Sequence, residues 1–180
     1  QAFGAAERIV VTAGAGDIAR FWSSPDVATA STQPGAVTPS AAWLGAETAV
    51  ATVAPGGQRI AFGDRRGHVH IERVGITPTD TAADGDEISF VGHQGSVSSL
   101  MFSQDGGLVA SAGNDGVIRI WDAHSGLPRP FYGRATVTDV DRMAFSPTAD
   151  KLAVLGAQRV WIMDTEGGDE LASIDLGEVH

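Results

Sequence analysis

Between Gly92 and Asp122 the chain reads GHQGSVSSLMFSQDGGLVASAGNDGVIRIWD. Three short apolar runs, VSSLMF, LVASAG and VIRIWD, are parted by Asp105-Gly106 and by Asn114-Asp115-Gly116. Asp-Gly and Asn-Asp-Gly supply the positive φ that tight hairpin turns need, so the pattern predicts consecutive antiparallel strands. The rest of the chain repeats this alternation less cleanly. Aligning the end of each first strand with the start of the next gives four anchors, at Phe3, Val53, Phe102 and Phe145, spaced by 50, 49 and 43 residues.

The predicted strands follow from these anchors. In the first copy they are Gln1–Phe3, Ile9–Ala13 and Ile18–Trp22, and in the second Thr48–Val53, Arg59–Phe62, Val69–Val74 and Glu87–Val91. The third copy adds an outer strand at Arg129–Tyr132. The fourth has Val140–Phe145, Lys151–Leu155, Arg159–Met163 and Leu171–Leu176. Ser23–Pro39, rich in Ser, Thr, Ala and Pro, and the acidic Thr77–Asp86 read as surface loops.

The Gly92-His93 pair that opens the third copy and the Trp121-Asp122 pair that closes it resemble the signature of a WD-repeat propeller blade. The period of such blades is about 40–45 residues. The resemblance extends over nearly the whole chain but is close only in the third copy. It implies an all-β fold, a β-propeller of four-stranded antiparallel blades, with repeats at 1–43, 44–91, 92–134 and 135–180. A ring of this family usually closes with seven blades, which takes about 300 residues. The chain starts within a strand and stops where a further blade would begin, so the four repeats are expected to form part of a larger propeller. The remaining blades would come from the same parent chain or from a second chain.

Composition narrows the classes of partner. The chain has 180 residues with 43% hydrophobic and 19% charged positions, and its 23 glycines suit a turn-rich β-protein. A net charge of −10 disfavours phosphate backbones and anionic membrane surfaces, so neither nucleic acid nor membrane is expected as a partner. No apolar run reaches the roughly 18–20 residues of a membrane span. There is no cysteine, which excludes disulfides and thiolate metal sites and fits the reducing cytoplasm, the compartment expected here.

Within the third copy, His93 precedes the first strand, Ser111 lies on the second, Asp115 in the tight turn and Trp121 on the third. The family resemblance implies that these four form a hydrogen-bonded chain from Trp through Ser and His to Asp. The physical need is the same without the family: a buried indole N–H, hydroxyl and imidazole must each find a partner. Ser, His and Asp together also suggest a hydrolase triad, but no G-x-S-x-G elbow is present and no catalytic residue is assigned. The other copies depart from this set. Thr12 and Trp22 match in the first, with the acid displaced to Asp17. Leu44, Phe62, Arg66 and Glu72 stand at the equivalent positions of the second, and Thr136, Val154 and Met163 in the fourth. Blades two and four are therefore expected to rely on apolar packing and to be less rigid than blade three.

Gly14-Ala15-Gly16-Asp17-Ile18-Ala19 matches a dinucleotide fingerprint, but an apolar strand pattern follows it instead of the required helix, so it reads as a hairpin turn. His68 and His70 share one strand face, without a third ligand at metal-site spacing. The acids Asp80, Asp84, Asp86 and Glu87 do not match an EF-hand loop. No metal and no cofactor are expected.

The function these features imply is a non-enzymatic scaffold or sensor module that binds proteins or peptides. By resemblance, the partner-binding face carries the turns before each first strand and between each second and third strand. It would include Glu47, Arg65, Gln94, Ser96, Asn114, Thr138, Asp139 and Gln158. The acidic balance favours a basic partner, with Arg65-Arg66 as a local exception. Two alternatives stand beside this reading: a propeller-fold enzyme or metal-binding module using the central channel, and a structural half-propeller completed by another chain.

Overall fold

Each short apolar run meets a tight turn and folds back, through glycine in the second and third sheets and, in the fourth, also through Ala149, Ala157 and Gln158 at positive φ. In a computed structural model, described for residues 2–3, 9–12, 20–23, 48–73, 88–130 and 140–177, this produces fourteen strands and, among the described residues, no helix. Strands β1 (Ala2–Phe3), β2 (Ile9–Thr12) and β3 (Arg20–Ser23) form a first antiparallel sheet. The second contains β4 (Thr48–Val53), β5 (Arg59–Asp64), β6 (His68–Arg73) and β7 (Ile88–Val91), in that order. The third contains β8 (Val97–Phe102), β9 (Leu108–Gly113) and β10 (Ile118–Asp122). The fourth contains β11 (Val140–Phe145), β12 (Lys151–Gly156), β13 (Arg159–Asp164) and β14 (Glu170–Asp175).

The sheets are repeats of one unit down to their irregularities. The first strands of the second, third and fourth sheets each carry a β-bulge, between Thr48 and Val50, Val97 and Ser99, and Val140 and Arg142. Those positions are 49 and 43 residues apart, the spacings already visible in the sequence. A bulge bends its strand and raises the local twist, so its recurrence gives the sheets a common curvature where the chain enters them.

Consecutive sheets stack face to face: β1 and β2 meet β4, β4 and β5 meet β8, and β8 and β9 meet β11. No comparable contact joins the fourth sheet to the first among the described residues. Alternation along the strands sends each sheet's two faces into two different seams. Val109, Trp121, Leu100 and Phe102 of the third sheet pack on Ala61, Val69 and Ile71 of the second. Ala110, Ala112, Ile118 and Ile120 pack on Leu152, Val154 and Met163 of the fourth. Strand β9 is buried at every position because it lies between both seams.

One expected strand is not formed as drawn. Arg129–Tyr132 was to be the outer strand of the third sheet. Instead a single bridge pairs Pro128 with Trp121, made by Arg129 N–H to the Ile120 carbonyl and Asp122 N–H to the Leu127 carbonyl. No regular ladder forms over the described part of this segment. Phe131 and Tyr132 lie outside the described residues.

Candidate functional site

The third sheet begins in a turn held by its neighbour. The β5–β6 turn, Asp64-Arg65-Arg66-Gly67, ends on Gly67 at φ 92°, where a side chain would fall on the His93 carbonyl oxygen. The Gly67 carbonyl accepts the N–H groups of Gly92, at 2.8 Å, and His93, at 2.9 Å. The backbone of the second sheet thus places the His93 ring over the third. A Cβ on Gly113 would lie 2.5 Å from His93 Nδ1, so this position too is open only to glycine.

The ring closes a four-residue chain. Trp121 Nε1–H donates to Ser111 Oγ at 2.8 Å, and Ser111 Oγ lies 2.8 Å from His93 Nε2. His93 Nδ1 lies 3.0 Å from Asp115 Oδ1. An indole can only donate and a carboxylate can only accept, so one direction satisfies every atom. Ser111 donates to Nε2, and Nδ1 carries the imidazole proton toward Asp115. Trp121 is seated as well by Phe90 of the second sheet, ring centroids 4.2 Å apart.

Asp115 has four donors around it: His93 Nδ1, the N–H groups of Gln94 at 3.0 Å and Val117 at 3.2 Å, and Arg119 Nη1 at 3.3 Å. Burial alone would raise its carboxyl, but the Gln94 N–H and His93 outweigh that and hold it below the ordinary 3.8. For His93, burial pushes the imidazole below its ordinary 6.5, Asp115 opposes the shift, and the Arg119 charge adds to it. Arg119 Nη1 also lies 3.1 Å from His93 Nδ1. With the Nδ1 proton directed at Asp115 this approach is not a hydrogen bond, and Asp115 Oδ2 is the acceptor for Arg119.

These atoms have the connectivity of a hydrolytic triad without its exposure. Ser111 is 0% exposed, His93 2%, and the hydroxyl oxygen already accepts from Trp121. No nucleophile is presented; the polar groups tie the turns before β8 and between β9 and β10 to the sheet. The chain therefore acts as a clamp on backbone that is itself exposed at Gln94 and Asn114.

The second sheet solves the same problem differently. Phe62 occupies the place of Ser111, and His70 stacks on it at 4.6 Å and 6°. His68 Nδ1 donates to Asp64 Oδ2 at 2.8 Å. Asp64 Oδ1 accepts the N–H groups of Arg66 and His68, each at 2.8 Å. Burial would raise the Asp64 carboxyl, but these His68 and Arg66 contacts bring it below 3.8. Among the described residues no three His, Cys, Asp or Glu side chains gather into a metal-holding group.

Of the residues assigned to a partner face, Arg65, Gln94 and Asn114 are exposed and Ser96 is half-buried. The Ser96 carbonyl accepts the Asn114 N–H at 2.9 Å, and the Gly67–His93 contacts bring Arg65 to the same end. Gln158 is exposed in the β12–β13 turn of the next sheet. Glu47, Thr138 and Asp139 lie outside the described residues, as do Leu44, Thr136, the Gly14–Ala19 turn and the acidic Asp80–Glu87 stretch. Sequence reasoning missed Arg119. The signal was available: it stands two residues before Trp121 on one strand face and four after Asp115.

Residues 86–122 match the family model described as WD domain, G-beta repeat. The small ribosomal subunit protein RACK1 of Candida albicans is 42% identical over 64 residues, covering 36% of this chain and 20% of that protein. The target of rapamycin complex subunit LST8 of Saccharomyces cerevisiae is 40% identical over 53 residues, 29% of this chain and 18% of its own length. The matched stretch thus spans about a fifth of these relatives. A chain in the crystal structure of the mitotic checkpoint complex superposes with a TM-score of 0.66 at 22% identity, covering 90% of this chain and 46% of that one. The chain carries a WD repeat, and its fold is that of the WD-repeat β-propellers.

Proposed function

We propose that the chain is a non-enzymatic protein-interaction module of the cytoplasm, working through the end formed by the β5–β6 turn, the Gly92–Ser96 entry and the β9–β10 turn. The observation that carries this reading is the spending of the buried polar groups. Ser111, His93 and Asp115 face inward and fix the backbone of Gln94 and Val117, while Gln94, Asn114 and Arg65 face out from a fixed frame. A surface fixed in advance loses little side-chain and loop entropy when a partner binds. The relatives named for a ribosomal subunit and a target of rapamycin complex support assembly as the role and the cytoplasm as the place. The net charge of −10 draws a basic partner to the molecule as a whole. A peptide-display selection against the chain tests the reading: selected peptides are expected to bind Gln94→Ala, Asn114→Ala and Gln158→Ala variants more weakly. Equal binding to all three variants would sink the assignment of this end.

A second reading is favoured by the fourth sheet. Leu155, Val160 and Ile174 are aligned on the face opposite Leu152 and Val154. Ile174 is 58% exposed. Such a face suits packing against a further blade, from the same parent chain or a second chain. Light scattering across concentration decides it: self-association suppressed by Ile174→Lys supports a blade-packing face, and a monomer at all concentrations counts against one.

A further inference from the structure

The two well-packed seams each join two unlike faces. The forward face of a sheet, turned to its successor, is made of small and β-branched side chains. In the second sheet it holds Ala61, Val69 and Ile71, flanked by Ile88 and Phe90. In the third it holds Ala110, Ala112, Ile118 and Ile120. The rear faces that meet them are bulkier. The third sheet sets Phe102, Val109 and Trp121 in one cross-strand row, and the fourth sets Phe145, Leu152 and Met163 in the same row. Large side chains from one sheet thus fill the space left by small ones on the other.

The fourth sheet repeats the forward pattern, and no sheet stacks on that face among the described residues. Ala153 stands at the register position of Ala61 and Ala110, and Ile162 at that of Ile71 and Ile120. Val160 stands at that of Val69 and Ile118. Ile174 pairs with Val160 as Phe90 pairs with Val69. Phe90 rests on Trp121 of the following sheet, so exposed Ile174 is placed to meet the residue at the Trp121 position of the sheet that covers it. Arg142 is the one charged residue in these rows; it is exposed on β11, the edge strand, where its long side chain can stay in water.

The chain carries a row of the required kind. In the first sheet Phe3, Val10 and Trp22 stand opposite one another, in the register of Phe102, Val109 and Trp121. We propose that the fourth sheet of one copy receives the first sheet of a second copy, head to tail, with Ile174 against Trp22 of that second copy. The proposal rests on the reading of the fourth-sheet face as a packing surface and names what packs there. Two fourth sheets do not substitute for this pairing, because small side chains would face small ones and leave gaps. The contact is heterologous: each copy uses one face and offers the other.

The test is sedimentation of the whole chain across concentration, with I174K and W22K variants alone and mixed. The native chain is expected to self-associate. Each variant, checked for native circular dichroism, is expected to associate at least about tenfold more weakly, because it would bury an unpaired charge in the seam. Should W22K fail that check, F3K in the same row takes its place. Mixed in equal amounts, the two variants are expected to form a dimer and nothing larger, since one intact fourth sheet then meets one intact first sheet. Association of W22K alone as strong as that of the native chain would overturn the proposal and leave the fourth-sheet face as a packing surface of another kind. A native monomer that melts lower in both variants would mean that the two faces meet within one chain, and the second copy alone is lost. A native monomer whose stability neither variant changes would sink both readings.

Discussion

Replacing Ser111 by alanine would leave two buried groups, Trp121 Nε1–H and His93 Nε2, without the oxygen that joins them. The expected loss is about 1–3 kcal/mol, read from urea unfolding. His93 has a separate, pH-dependent consequence. Its folded pKa lies below 6.5, chiefly because burial disfavours the imidazolium. The unfolded chain therefore binds more protons just below that pH, and stability is expected to fall as pH drops from about 7 toward the folded value. Thermal melts should show this decline in the native chain and not in a His93→Gln variant. Asp64 and Asp115 act lower on the scale: both titrate below 3.8 when folded, so their contribution holds above that pH and is lost as acid reaches the folded values.

At the scale of single elements, the turns decide how each sheet is closed. The β9–β10 turn reaches positive φ at Gly116, 73°. The β12–β13 turn is two residues long, with Gly156 opposite Arg159, and has no glycine at its centre. Ala157 at φ 46° and Gln158 at φ 62° are both held in the left-handed region, where a Cβ costs about 1–2 kcal/mol per residue. Asn-Gly suits such a turn. The paired substitution Ala157→Asn with Gln158→Gly is expected to stabilise the chain by about 1–2 kcal/mol in thermal unfolding.

For the whole molecule, the stack is quasi-one-dimensional, each sheet bearing on its neighbours. The third sheet shares a seam with both the second and the fourth. Leu152 lies at 0% exposure in the second of these seams, and Leu152→Ala is expected to cost about 2–5 kcal/mol. Amide exchange should quicken in β11–β14 and in β8–β10, with β4–β7 little changed. In the native chain β9 is expected to exchange most slowly, and the second and fourth sheets, which lack the Trp–Ser–His–Asp chain, faster than the third. Equal protection across the three sheets would contradict that ranking.

The succession of strands follows from local chemistry. Apolar runs of strand length, closed by Ala54-Pro55-Gly56-Gly57 and by Ser146-Pro147, set Thr48–Val53 and Val140–Phe145 to the residue. The repeat spacing follows from the same pattern, because each unit needs its own turns and its own two-faced sheet. The residue types of the third unit likewise announced a polar chain, since an indole, a hydroxyl, an imidazole and a carboxylate in one unit must satisfy one another. What sequence could not supply is direction and neighbourhood. Which way a carboxylate turns depends on the N–H groups the next sheet brings to it, and the Gly67–His93 contact joins residues 26 apart that no local rule connects. Net charge is a sum over residues. Only the tertiary structure decides where those charges turn, and it directs the Asp64 and Asp115 carboxylates inward, onto imidazole and backbone N–H groups.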